Sequence, residues 1–92
     1  MATVSVKIPT PLRKLTGGAD RVESHGDNVR DVIDDMESKF PGLKSKLCDE
    51  QDRLRRFINL YANQDDIRFL DDLDTRLNDG DELSIIPAIA GG

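Results

Sequence analysis

The sequence lacks tryptophan and has one tyrosine and three phenylalanines, so aromatics make up only 4% of its 92 residues. Any aromatic that reaches the surface therefore stands out. Cysteine occurs once, as Cys48, which rules out an intramolecular disulfide. The surrounding "KSKLCDE" supplies acids that raise a thiol pKa rather than activate it, so Cys48 reads as a structural residue. Histidine also occurs once, as His25, which excludes a histidine-based metal cluster. Ser5 and Ser24 have no histidine and carboxylate at the spacing of a nucleophilic triad. Gly17-Gly18 belongs to neither GxGxxG nor GxxxxGK[ST], so no phosphate loop is present. No apolar run approaches 18 residues and no leader pattern is read at the start; the expected location is cytoplasmic, away from membranes.

What is present is charge. Charged residues are 34% of the chain and hydrophobic ones 37%, the balance of a well-solvated globular domain. A chain this long makes one domain, and at this size about 63–65% of the unfolded surface is buried. The net charge of −5 repels a phosphate backbone, so nucleic acid is not an expected partner. The carboxylates fall on one helix face and in turns, where they are solvated. They have neither the spacing of a calcium loop nor a protected pocket that would split their pKa values. The chain is accordingly expected to have no catalytic residues and no metal site.

Apolar periodicity organises the chain. "TVSVKIP" alternates, with Val4, Val6 and Ile8 on one face, and ends at Pro9 and Pro11. Gly17-Gly18 mark a turn, and Arg21 to His25 return as a second strand anchored by Val22. Val29, Val32, Ile33, Met36 and Phe40 then form one helical stripe. Asp27 or Asn28 caps that helix, Asp31 lies in its first turn, and Pro41-Gly42 stop it. "LKSKLCDEQDR" reads as a short helical turn and a polar loop. A third strand is expected over Arg55 to Ala62, with Ile58, Leu60 and Ala62 inward and Phe57, Asn59 and Tyr61 outward. A short strand around Ile67 to Phe69 and a helical turn in "LDDLDTRL" follow. The last strand is Glu82 to Ile86, with Leu83 and Ile85 inward and Ile86 outward. This order predicts an α+β, two-layer fold. It is a single β-grasp (ubiquitin-like) domain, a mixed sheet of four to five strands with one long helix packed across it.

The domain is expected to span residues 1–86, with a flexible tail at 87–92 that ends in Gly91-Gly92. Pro87 cannot donate a ladder hydrogen bond, which closes the strand. Extended at about 3.3 Å per residue, the tail reaches roughly 20 Å. Ala88, Ala90, Gly91 and Gly92 are narrow enough to thread a channel. Glycine adds no clash with a partner closing on the backbone, and it leaves the terminal carbonyl open to attack. A carboxylate is a poor electrophile, so the activation must come from another protein. Phe57, Tyr61 and Ile86 form an apolar outer surface beside the root of the tail, suited to docking a partner.

The stretches "VSVKIPTPLRKLTGG", "RFINLYANQDDIRF" and "DGDELSIIPAIAGG" resemble the ubiquitin-like sulfur-carrier family (MoaD/ThiS-like), and within it the CysO-like branch of cysteine biosynthesis. The family also contains the molybdopterin synthase small subunit and the thiamine sulfur carrier. The resemblance implies that an E1-like adenylyltransferase uses ATP and magnesium to adenylate the Gly92 carboxylate. A sulfur donor then converts it to a thiocarboxylate, the 1-thioglycine form. Ile89, Ala90, Gly91 and Gly92 would enter the partner. A PLP-dependent cysteine synthase would present an aminoacrylate made from O-phosphoserine, and a metallopeptidase would release cysteine from Gly92. The ATP, PLP and metal belong to those partners, so the chain itself binds no cofactor tightly. Three other readings stand beside this one. They are a molybdopterin or thiamine carrier, a ubiquitin-like modifier joined to lysines, and a plain binding module.

Overall fold

A computed structural model describes residues 1–87. The alternating Val4, Val6 and Ile8 are all buried. Val4 and Val6 lie on β1 (Ala2–Lys7), and Ile8 follows it. Between Pro9 and the turn expected at Gly17-Gly18 lies an element that the sequence pattern leaves unassigned. Thr10–Thr16 wind into a 3-10 helix that buries Leu12 and Thr16 and ends at Gly17, whose φ of 67° suits a residue without a Cβ. β2 (Arg21–Gly26) runs back antiparallel to β1, pairing Val4 with Ser24 and Lys7 with Arg21. Its expected anchor, Val22, is only partly buried. The deeply buried residue is Ser24, at 0% exposure, and it is satisfied by polar groups of the helix that follows.

That helix is α1 (Val29–Lys39). Asn28 caps it by accepting from Asp31 N at 2.8 Å, and the predicted stripe places Val29, Val32, Ile33 and Met36 in the core. Phe40 packs against the core edge at the C-cap. α2 (Leu43–Leu47) buries Leu43 and Leu47. β3 (Ile58–Ala62) is shorter than expected at its start, but Ile58, Leu60 and Ala62 do face inward. β4 is only Asp65–Asp66. The strand expected around Ile67 to Phe69 is instead a 3-10 turn, Ile67–Phe69, capped by the Asp66 carboxylate accepting from Arg68 N. One buried residue, Ile67, anchors that turn, and the apolar triplet was too short to separate strand from helix. A second 3-10 turn, Asp72–Asp74, buries Leu73. β5 (Glu82–Pro87) closes the sheet and runs one residue beyond the expected end, with Pro87 opposite Ile58.

The sheet order is β2-β1-β5-β3-β4. β1 and β5 are parallel and the other neighbours antiparallel. The inward side chains of β1, β3 and β5 meet the apolar stripe of α1, which crosses one face of this mixed five-stranded sheet. The fold is the expected α+β, ubiquitin-like β-grasp. Among the described residues, no helix is long and apolar enough to cross a membrane.

Candidate functional site

Strand register decides what surrounds the end of β5. Ile86 faces Asn59 and Pro87 faces Ile58 across β3. Because β3 is antiparallel to β5, residues 55–57 lie just past the level of Pro87. On the other side, β1 is parallel, with Lys7 level with Ser84, so Pro9 and the 3-10 helix it opens reach the same end. The end of β5 is thus framed by the start of β3 and the end of β1.

The outer face of the sheet there is mixed, with Ile86 and Tyr61 beside Asn59 and Ser84. Ile86 is 46% exposed and Phe57 52%, while Tyr61 is half-buried opposite Ser84, one step back along β3. Ile86 and Tyr61 lie on the face away from the core, as expected, whereas Phe57 is exposed in the turn before β3 and not on the strand where it was expected. Phe69 and Leu70 had not been singled out; they are exposed beside β3, Phe69 at 87%. A signal for them existed in the run "IRFL", but reading it as a strand hid it. Of the tail, Ile89, Ala90, Gly91 and Gly92 lie outside the described residues.

Arg68 fixes this region. Its Nη1 donates to Asn59 Oδ1 at 2.7 Å, and Nη2 donates to the carbonyls of Ile58 at 2.8 Å and Arg55 at 2.9 Å. β4 pairs only with Tyr61 and Ala62, so the first half of β3 would otherwise expose its carbonyls on that edge. The guanidinium occupies them, which holds the start of β3, and Phe57 with it, in place. Arg55 is tied down in turn, its Nε donating to Ser45 O at 2.9 Å.

The other candidate groups do not assemble into a site. Cys48 is buried in the core, and that burial pushes its thiol pKa up, away from nucleophilic character. It borders a cavity of about 60 Å³ with Arg30, Asp34, Lys44 and Asp52. Lys44 spans Asp34 at 2.8 Å and Asp52 at 3.5 Å, and the hydrogen bond to Asp34 raises its pKa. This keeps the amine charged and unfit as a base. His25 lies 3.1 Å from the Thr3 hydroxyl. No cluster of three or more metal-ligating side chains occurs among the described residues.

Residues 6–92 match the ThiS family. The chain is similar to the sulfur carrier protein CysO of Mycobacterium tuberculosis, at 44% identity over 91 residues, 97% of this chain and 98% of the relative. It superposes with a TM-score of 0.91 and 49% identity on a chain of the Amycolatopsis orientalis BexX/CysO complex, covering 97% of this chain and 99% of that one. The solution structure of small archaeal modifier protein 1 from Methanosarcina acetivorans also matches, with a TM-score of 0.87 and 35% identity, covering 100% and 98%.

Proposed function

The chain belongs to the ThiS family of ubiquitin-like sulfur carriers, and from that membership we propose that it carries sulfur as a thiocarboxylate on Gly92. The observation that supports this most is 44% identity, over nearly the whole of both chains, to a protein named a sulfur carrier. Residues 1–86 serve as the docking body and residues 87–92 as the arm that delivers the terminal carboxylate. The chain is a cytoplasmic protein co-substrate rather than an enzyme, and the catalytic groups are the partner's.

The chemistry follows from the weakness of a carboxylate as an electrophile. An E1-like adenylyltransferase joins Gly92 to the AMP moiety of ATP and releases pyrophosphate. Attack by a sulfur donor on the mixed anhydride expels AMP and leaves a C-terminal thiocarboxylate. That sulfur then adds to the β-carbon of an aminoacrylate, which a PLP-dependent cysteine synthase makes from O-phosphoserine. An S-to-N acyl shift leaves cysteine amide-linked to Gly92, and a metallopeptidase releases it. Tethering keeps a reactive sulfur from diffusing away, so specificity rests on docking. Phe57 and Ile86 anchor the docked partner, with Tyr61 at the border of the contact, and Ile89, Ala90, Gly91 and Gly92 enter its channel. The BexX/CysO complex, formed by a relative 49% identical to this chain, supports docking as the mode of action.

The test supplies thiocarboxylated carrier to a PLP-dependent cysteine synthase with O-phosphoserine and follows the intact mass. A covalent cysteine adduct on the carrier is the expected product. Dithiolene formation on a pterin precursor in place of that adduct would assign the chain to molybdopterin synthesis. The likeness to small archaeal modifier protein 1 favours a second reading, in which Gly92 is joined to lysines of other proteins. Ladders of higher-mass conjugates in cells would identify that outcome.

A further inference from the structure

The chain carries a net charge of −5, yet its charges are not spread evenly. Lys7 ends β1, Arg13 and Lys14 lie in the 3-10 helix that follows it, and Arg56 lies two residues before Ile58, the partner of Pro87. Arg68 brings its guanidinium to the same strand start. By register, all five surround the point where β5 ends. None of the five forms an ion pair among the described residues. Arg13 and Arg68 spend their hydrogen bonds on neutral oxygens, those of Ile8, Ile58, Arg55 and Asn59; Arg68 also shares a groove with Asp52, Asp71, Asp72 and Asp74, so it adds less to the rim than the others. Lys7, Lys14 and Arg56 are exposed.

The opposite end of the sheet carries mostly acids, set against the Met1 amine, 3.8 Å from Asp27, and Arg76, which pairs with Asn28. Asp27 follows β2, Asp65 and Asp66 follow β3, and Asp79 and Asp81 precede β5. Asp79 and Asp81 hold their turn by accepting from Thr3 N and Asn78 N, and Asp66 caps the turn after β4. Asp20, just before β2, and Asp49 and Glu50, which line a groove with Arg55, are carboxylates on the basic end and partly offset it. The molecule is therefore polar along its strands, basic where the tail leaves and acidic at the far end.

We propose that this basic rim around Ile86 and Phe57 orients the carrier, tail first, onto a carboxylate-lined channel mouth of the activating enzyme. The inference rests on the carrier reading and adds the chemistry of the partner's surface. A polyanion such as nucleic acid would meet the same rim but also the acidic remainder of the molecule, which favours a local acidic patch on a protein. Charges at the edge of an interface chiefly raise the rate of productive encounter, and salt weakens that effect. They leave the chemical step unchanged once the tail is seated.

The test measures adenylation of the carrier by its E1-like adenylyltransferase at low and high salt, with carrier concentration varied. The rim variant is Lys7→Glu with Lys14→Glu and Arg56→Glu, which leaves the structural Arg13 and Arg68 in place. A control variant, Asp65→Lys, alters the far end without touching the Asp79 turn, and thermal melts verify that both fold. The rim variant is expected to raise KM about tenfold or more at low salt, with kcat within about twofold, and to lose the salt dependence of the native chain. The control is expected to leave KM unraised. A rim variant with native KM, or an equal rise in the control, overturns the inference while the native chain is still adenylated. A native chain that is not adenylated at all fails the carrier reading and removes this inference with it.

Discussion

At Gly26 there is no room for a side chain, although its φ is not positive. A Cβ there would lie 2.7 Å from both Asp31 Cβ and Val32 N, where β2 passes against the first turn of α1. Gly26→Ala must push the helix off the sheet, and it should cost about 1–3 kcal/mol in denaturant unfolding. A native midpoint would contradict this packing. Two strand positions earlier, buried Ser24 donates to Asp35 Oδ2 at 2.7 Å and lies 3.2 Å from Val32 O. The same carboxylate accepts from His25 N at 3.0 Å and pairs with Lys39 at 3.1 Å. The Ser24 hydrogen bond, aided by His25 N and Lys39, holds the Asp35 pKa below its ordinary value. A depressed folded-state pKa adds stability above the unfolded-state pKa, and that stability is lost as pH falls through the folded-state value. Asp35→Asn should therefore melt below the native protein near neutrality, and the gap should close below about pH 4. A gap that stays constant with pH would show that the carboxylate charge is not what holds Ser24. Sequence patterning could not reveal this group, since a serine in a polar strand looks like a surface residue until a helix eleven positions on supplies its partner.

The strands and the long helix were legible because each carries a period that the core reads directly. Val29, Val32, Ile33 and Met36 recur at helical spacing, and Val4, Val6 and Ile8 alternate. The short elements were not legible in the same way. Thr10–Thr16 begins with prolines that stop a strand, and only tertiary burial of Leu12 winds it into a 3-10 helix. Ile67–Phe69 offers three residues, too few for any period. Both sheet edges depend on side chains from distant elements. On the β2 edge, Asp35 takes His25 N and Lys39 Nζ donates to Glu23 O at 3.1 Å. On the β3 edge, Arg68 covers the carbonyls that short β4 leaves open. Closed edges keep a sheet from pairing with another chain. Arg68→Ala should cost about 1 kcal/mol, discounted for its exposure, and should loosen the start of β3. The measurement is hydrogen exchange at Asn59 and Leu60 together with the unfolding midpoint. Unaltered exchange would mean the guanidinium is a passive cover.

On the scale of the whole molecule, the described residues bring no reactive side chains together, and the proposed carrier chemistry is assigned to Gly92. Among the described residues the lone cysteine is buried, the single histidine lies 3.1 Å from the Thr3 hydroxyl, and the lysine beside the thiol is held charged between two aspartates. Register gathers Ile86, Phe57 and the basic rim at one end of the sheet. Alternation in the sequence showed Tyr61 and Ile86 facing outward, but not that Phe57 stands in the turn before β3. It could not show the charge polarity, because Lys7, Lys14 and Arg56 come together only once β1 and β5 are parallel and β3 antiparallel. Gly92 carries the central claim, and the most direct measurement is its mass. The native chain is incubated with an E1-like adenylyltransferase, ATP and a sulfur donor, and the product is fragmented in the mass spectrometer. The expected result is a gain equal to one oxygen replaced by sulfur, confined to the fragment that ends in Gly92 and absent from a chain lacking Gly92. An unchanged mass, or a gain located at Cys48, would contradict it.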